Sequence, residues 1–101
     1  YNSRIMDKKK ALAALASLAQ GTRLDVFRLL VTAGPAGLPA GEIAAELSVP
    51  PNTLSFHLTH LKAAGLIRCR RAGRQAFYSA NYDRAQALLG YLTENCCKRC
   101  G

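Results

Sequence analysis

The sequence predicts a mostly helical α+β domain in which four helices precede one β-hairpin and a fifth helix follows it. Three observations carry this expectation. Apolar residues recur at helical spacing through most of the chain. Proline and glycine cluster at two interior points where helices must stop. A basic stretch after Gly65 has β-compatible residues on both sides of Ala72-Gly73, as a hairpin does. With 101 residues the chain makes one domain with a thin core, which self-association would reinforce. Fourteen Lys and Arg against six Asp and Glu give a formal charge of +8, which suits a polyanionic partner. Half of the residues are apolar, which excludes a disordered basic tail. No apolar run reaches the length of a membrane span or a signal-peptide core, so a cytoplasmic protein with no membrane partner is expected.

Lys8-Lys9-Lys10 leads into residues 11–19, a strong helix former whose Leu12, Leu15 and Leu18 share a stripe. After Gln20-Gly21, Thr22 is expected to cap the second helix, with Asp25 as an acidic variant of the capping box. That helix runs to about Thr32, with Leu24, Phe27, Leu30 and Val31 as its core face. Residues 33–39 are turn chemistry that no helix crosses. A short helix from about Ala40 to Leu47 turns Ile43, Ala44 and Leu47 inward. Pro51 then stands at a first helical position, where its missing N–H costs nothing, and this longer helix continues to Ala64 and is closed by Gly65. Leu66 to Arg71 and Arg74 to Ala80 form the hairpin. Asn81 or Asp83 caps the last helix, roughly Asp83 to Asn95, with Ala85, Leu88, Leu89 and Leu92 apolar. The chain therefore divides into an N-terminal arm (1–7), a folded domain (8–95) and a cysteine tail (96–101); Tyr1 to Ile5, ahead of Met6, read as a cloning remnant and are given no function.

Two short helices, a turn, a longer polar-faced helix and a basic hairpin describe a winged helix-turn-helix. At 100° per residue, Leu54, Leu58 and Leu61 share one side of the longer helix. Asn52, Phe56, Thr59 and Ala63 lie opposite, flanked by Thr53, Ser55 and His60. Small polar groups facing outward let a backbone come close in a major groove. The expected DNA contacts are Asn52, Thr53, Ser55, Phe56, Thr59, His60 and Lys62 on this helix. Arg70, Arg71 and Arg74 join them on the hairpin, which also carries Arg68 and would follow phosphates without reading much sequence. His57, at the edge of the leucine face, reads as a structural histidine, and Phe56 either meets a thymine methyl or packs on a neighbouring helix.

Several segments together resemble the ArsR/SmtB family of metal-responsive repressors. They are residues 18–24 (LAQGTRL) with Phe27 to Leu30, Glu42-Ile43-Ala44 with Leu47, residues 53–58 (TLSFHL) with residues 61–67 (LKAAGLI), and Arg71 to Arg74 with Phe77-Tyr78. The resemblance spans about residues 10 to 92. It implies a homodimer joined through the first and last helices that sets two recognition helices on an imperfect palindrome of double-stranded operator DNA. The leucine stripes at 12–18 and 88–92 fit that role.

The effector side rests on Cys96, Cys97 and Cys100, beside the cations Lys98 and Arg99. Such a trio in a reduced compartment suits a soft metal or a redox switch better than a structural disulfide framework. Three thiols match trivalent arsenic, which takes three sulfurs in a pyramid; zinc would need a fourth strong ligand, and none is near in sequence. Cysteines at the end of the last helix also resemble those of an arsenite-responsive subgroup of the family. The expected protein is thus an arsenic-responsive repressor whose effector is As(III), with Sb(III) or methylarsenite as further candidates, and which leaves its operator on binding. In a regular helix Cys96 and Cys97 point about 100° apart, so filling such a site would have to fray the helix end. The alternative is a thiol-redox or persulfide-sensing repressor that closes a disulfide among the same cysteines. Cys69 reads as a small hydrophobe rather than a ligand. An arsenate-reducing enzyme is disfavoured, since no anion-cradling loop precedes a cysteine. A purely structural DNA-coating protein would leave the tail cysteines without a role.

Overall fold

Local rules set each helix end. The structure, a computed structural model, describes residues 6–98. Asp7 opens α1 (Lys8–Leu18) by accepting the Lys10 N–H at 2.8 Å on its side chain. Helix α2 (Gly21–Ala33) is capped by Gln20, whose amide oxygen accepts the Arg23 N–H at 2.8 Å. The expected Thr22 cap is therefore corrected: a longer amide side chain two residues earlier reaches the same free N–H groups. Helix α3 (Ala40–Leu47) ends at Ser48, which lies in the left-handed region at φ 53° and turns the chain sharply through Val49 and Pro50 into α4 (Pro51–Ala63). Helix α4 ends at Ala64, and Gly65 at φ 79° lets the Leu66 N–H reach back to the Leu61 carbonyl at 3.1 Å.

The hairpin comprises β2 (Ile67–Ala72) and β3 (Gln75–Ala80), paired antiparallel in register from Ile67 opposite Ala80 to Ala72 opposite Gln75. Its two-residue turn is Gly73-Arg74 rather than the expected Ala72-Gly73, because Ala72 still pairs and Gly73 supplies the positive φ of 64°. A second correction concerns residues 33–39. They turn, but Leu38 and Pro39 also form a short strand, β1, against the other edge of β3, with Leu38 opposite Tyr78. The sheet order is β1-β3-β2. Gly37 at φ 76° runs so close to this edge that a Cβ there would collide with the Tyr78 carbonyl.

Helix α5 (Tyr82–Thr93) is capped by Asn81, whose Oδ1 accepts the Arg84 N–H at 3.2 Å. The same residue donates Nδ2 to the Gly65 carbonyl at 2.9 Å and its backbone N–H to the Leu66 carbonyl at 2.8 Å. One side chain thus starts α5 and ties it to the end of α4.

The core gathers Val26 and Leu30 from α2, Ile43 from α3, Leu54, Leu58 and Leu61 from α4, and Leu66 and Ile67 at the base of the hairpin. Ala11 and Ala14 of α1 and Ala87 and Leu88 of α5 close it, and Met6 is buried ahead of α1. The expected α2 face is half right: Leu30 is buried and Phe27 packs against the core, but Leu24 and Val31 are exposed while Val26 is buried. The core-facing stripe is rotated toward residues 26 and 30, four apart, which lie one above the other on a helix. On α5, Leu89 and Leu92 likewise face solvent, as do Leu12 and Leu15 of α1. The last helix stops at Thr93, two residues short of the expected Asn95. Among the described residues no helix is long and apolar enough to cross a membrane.

Candidate nucleic-acid interface

Helix α4 buries Leu54, His57, Leu58 and Leu61 and leaves Asn52, Thr53, Ser55, Phe56, Thr59 and Lys62 exposed along the opposite side. Six of the seven expected recognition-helix contacts thus share one open surface. The Thr59 hydroxyl donates to the Ser55 carbonyl at 3.0 Å, so its methyl is the group it presents. Phe56 is 63% exposed, yet its ring lies edge-on to His57 at 5.4 Å and lines a groove of about 310 Å³ with Ala13, His60 and Ala63. It stands at the border between α4 and α1. His60 is set back from the others: it is half-buried, and its Nδ1 shares a hydrogen bond with the Ser17 hydroxyl at 3.0 Å.

A polar chain holds α4 in place. The Arg23 guanidinium donates Nε to the Ser17 carbonyl at 2.8 Å and Nη1 to His57 Nδ1 at 3.2 Å. A guanidinium only donates, so His57 Nδ1 must accept and its proton resides on Nε2. Ser17 and His57 are buried, and with these bonds the network leaves no buried side-chain polar atom unpaired among the described residues. His57 is the structural histidine the sequence suggested. Burial first, then the charges of Arg23 and His60, hold its imidazole below the ordinary value of 6.5. The unfolded chain therefore takes up this proton first as pH falls. The contribution of neutral His57 is complete above about pH 6.5 and is lost as pH drops through the depressed folded value. Melting temperature is expected to decline between pH 7.5 and 5.5, and less so in His57→Gln; an unchanged slope in that variant would place the acid sensitivity elsewhere.

The hairpin carries its arginines on both faces. Arg68 and Arg70 share a face with Phe77 and Ser79, and Arg71 shares the other with Cys69 and Tyr78. The Arg70 guanidinium sits 4.9 Å from the Phe77 ring centre and donates to the Ala36 carbonyl at 3.1 Å, which braces the wing against the β1 segment. Arg68 reaches Asp83 at 3.8 Å across an exposed gap. Arg71 is exposed on β2 and Arg74 is exposed in the turn. Cys69 is half-buried opposite Tyr78, whose hydroxyl burial pushes up in pKa, an effect the neighbouring thiol reinforces.

The tail departs from its expected geometry. Because α5 ends at Thr93, Cys96 and Cys97 lie in a turn beyond it, with the Cys96 N–H on the Thr93 carbonyl at 3.0 Å and the Lys98 N–H on the Asn95 carbonyl at 3.2 Å. Asn95 and Cys97 both adopt positive φ, 62° and 65°. The helix is thus already ended before the cysteines, not frayed by a ligand as expected: the Cys96 and Cys97 Sγ atoms are 3.2 Å apart, and both residues are exposed. Cys100, the third expected ligand, lies outside the described residues. Among the described residues no cluster of three His, Cys, Asp or Glu side chains is set to hold a metal.

Residues 18–70 match the family model described as a helix-turn-helix domain. An uncharacterized HTH-type transcriptional regulator of Methanocaldococcus jannaschii is 31% identical over 86 residues, 85% of this chain and 94% of that protein. Among solved structures, an ArsR-like transcriptional regulator from a Rhodococcus species superposes with a TM-score of 0.76 at 25% identity, covering 83% of this chain and 76% of that one. Reduced HlyU from Vibrio cholerae gives 0.66 at 26% identity, with 85% and 90% covered. A possible transcriptional regulator for arsenical resistance gives 0.68 at 28% identity, with 78% and 79% covered. All four carry the names of transcriptional regulators. With α3 and α4 forming the helix pair, β2 and β3 the wing and the matched model spanning more than half of the sequence, the chain belongs to the ArsR/SmtB-type winged helix-turn-helix DNA-binding transcriptional regulators.

Proposed function

We propose that the chain is a homodimeric repressor that binds a palindromic operator and releases it when its tail thiols are oxidised. The 3.2 Å approach of the Cys96 and Cys97 sulfurs, in an exposed turn directly after the last helix, carries this reading. Similarity to HlyU, one of whose solved structures is of a reduced form, supports a thiol input. Dimerisation is supported by Leu12 and Leu15 on α1 and Leu89 and Leu92 on α5. All four are at least 40% exposed, on two helices that touch each other in the monomer. A second copy would cover these leucines by two-fold symmetry and set two α4 helices about one DNA turn, or a multiple, apart. Asn52, Thr53, Ser55, Phe56, Thr59 and Lys62, with His60 at the edge, would then enter the major groove, while Arg70, Arg71 and Arg74 follow the flanking phosphates.

Trivalent arsenic, or antimony, on Cys96, Cys97 and Cys100 is the second reading. Likeness to the possible regulator for arsenical resistance favours it, and paired thiols suit a thiophilic centre. One experiment separates the two. An operator is selected from random duplexes, and binding is followed by anisotropy with hydrogen peroxide, or with arsenite under excess phosphine reductant. Oxidant should weaken binding by about tenfold or more, within the ordinary range of allosteric coupling. Reductant should restore it, while arsenite leaves it within about threefold. Release by arsenite alone would discard the redox reading in favour of the metalloid.

A further inference from the structure

Oxidation of this tail has a choice of partners: Cys96 with Cys97, either of them with Cys100, or one tail with its symmetry mate. The backbone already favours one. On a regular helix, neighbouring side chains diverge by about 100°. Here Asn95 and Cys97, on either side of Cys96, occupy the left-handed region, which is uncommon for any residue with a Cβ, and this fold of the turn brings the two sulfurs together. The turn is held by backbone hydrogen bonds on both sides, Cys96 N–H to Thr93 and Lys98 N–H to Asn95, so the approach is built into the chain. Both residues are open to solvent and accessible to a small oxidant.

Resting on the redox reading above, we propose that Cys96 and Cys97 form a disulfide with each other, closing an eight-membered ring between adjacent residues, and that this ring is the oxidised state of the sensor. The chemistry balances with a hydroperoxide as oxidant. One thiolate attacks the peroxide oxygen and becomes a sulfenic acid, releasing water once the leaving oxygen is protonated. The second thiol then displaces the sulfenic hydroxyl as a second water and forms the S–S bond. Two thiols lose two electrons and two protons, and hydrogen peroxide becomes two waters. The sulfurs must close from 3.2 Å to about 2.05 Å, a movement that side-chain rotation and a small adjustment of the turn supply.

Such a ring has a chemical consequence. Adjacent Cα atoms stand about 3.8 Å apart across a trans peptide, short of the roughly 4.4–6.8 Å that relaxed disulfides span, so the bond is strained and easily reduced. It suits a signal that must be erased by cellular thiols better than a permanent crosslink.

Trypsin makes the test direct, because cleavage after Arg84 and Lys98 places Cys96 and Cys97 in one peptide, residues 85–98, and leaves Cys100 in another. The full chain is treated with hydrogen peroxide, blocked with N-ethylmaleimide, digested and weighed by mass spectrometry. The proposal expects the 85–98 peptide two hydrogens lighter than its dithiol form, unlabelled by maleimide and reopened by glutathione. A peptide joined to Cys100, two joined copies of 85–98, or a peptide labelled twice would each overturn it. In parallel, Cys100→Ser should keep peroxide-driven release of the operator, while Cys96→Ser and Cys97→Ser each lose it. If release persists but its bond involves Cys100, the adjacent pair falls and the redox repressor stands. If the ring forms and operator affinity does not move, the pair stands and the redox repressor falls.

Discussion

Replacing Arg71 and Arg74 together by alanine is expected to weaken operator binding by about a hundredfold or more at physiological salt, since each removes a hydrogen bond to a charged group that contributes roughly 1.5–3 kcal/mol, about ten- to a hundredfold apiece. Both arginines are exposed, one on β2 and one in the turn, whereas Arg70 is held by Phe77 and Ala36 and Arg68 lies near Asp83. Their loss should leave the fold untouched and act on phosphates alone. The diagnostic is the salt dependence: each phosphate contact removed lowers the slope of log affinity against log salt by about 0.9. The decrease should be similar for operator and for unrelated duplex. Asn52→Ala, in contrast, should alter preference among operator variants and leave the salt slope nearly unchanged. A wild-type salt slope in the double variant would show that the wing does not reach DNA.

Leu61→Ala is the substitution with the largest expected cost to stability. Leu61 is fully buried on the inner side of α4, where its side chain anchors the recognition helix to the core. Removing a buried leucine costs about 2–5 kcal/mol, a large share of the roughly 5–15 kcal/mol that holds a domain together. For a chain of this size the melting temperature should fall by about 10–25 °C. Scans of both proteins must be made at one protein concentration, because a dimer's melting point depends on it. Phe56→Ala, on the outer side of the same helix, is the control: its stability should stay within about 0.5 kcal/mol of wild type. A loss below about 1 kcal/mol for Leu61→Ala would mean that α4 is anchored elsewhere.

The order of helices and hairpin was legible because its signals are local. Pro51 and Gly65 bracket α4 by backbone conformation alone, and Leu54, Leu58 and Leu61 repeat at the spacing that defines a buried face. Where the outcome depended on partners distant in sequence, local reasoning missed it. Leu38-Pro39 has no strand signature of its own and becomes a strand only because β3 offers a free edge 40 residues later. Gln20 displaces Thr22 as a cap because its side chain is long enough to fold back, a matter of reach and not of residue class. Leu24 and Val31 looked like core residues by hydrophobicity, but α1, α3 and α4 meet α2 on the side of Val26 and Leu30. The Ser17, Arg23 and His57 network was hidden for the same reason, since it joins three helices. At the tail, the cysteine residues were plain and their geometry was not. Two left-handed residues, one of them Cys97 itself, bring together sulfurs that a continued helix would have separated.

The β1 strand also bears on the order in which this protein comes into being. Leu38 pairs with Tyr78 and Pro39 with Phe77, contacts that span about 40 residues of chain, while α3 and α4 are joined by a three-residue turn. Local helical contacts form early and long-range strand pairing late, because loop closure must be completed before the pairing is rewarded. On the ribosome the helix pair can emerge and take shape while the edge that will receive Leu38 is still unmade. The wing and the brace that Arg70 lays on Ala36 arrive only once residue 80 or so has been synthesised. A nascent or truncated chain ending before β3 would hold a recognition helix without a wing. Grip on DNA is therefore among the last properties the chain acquires.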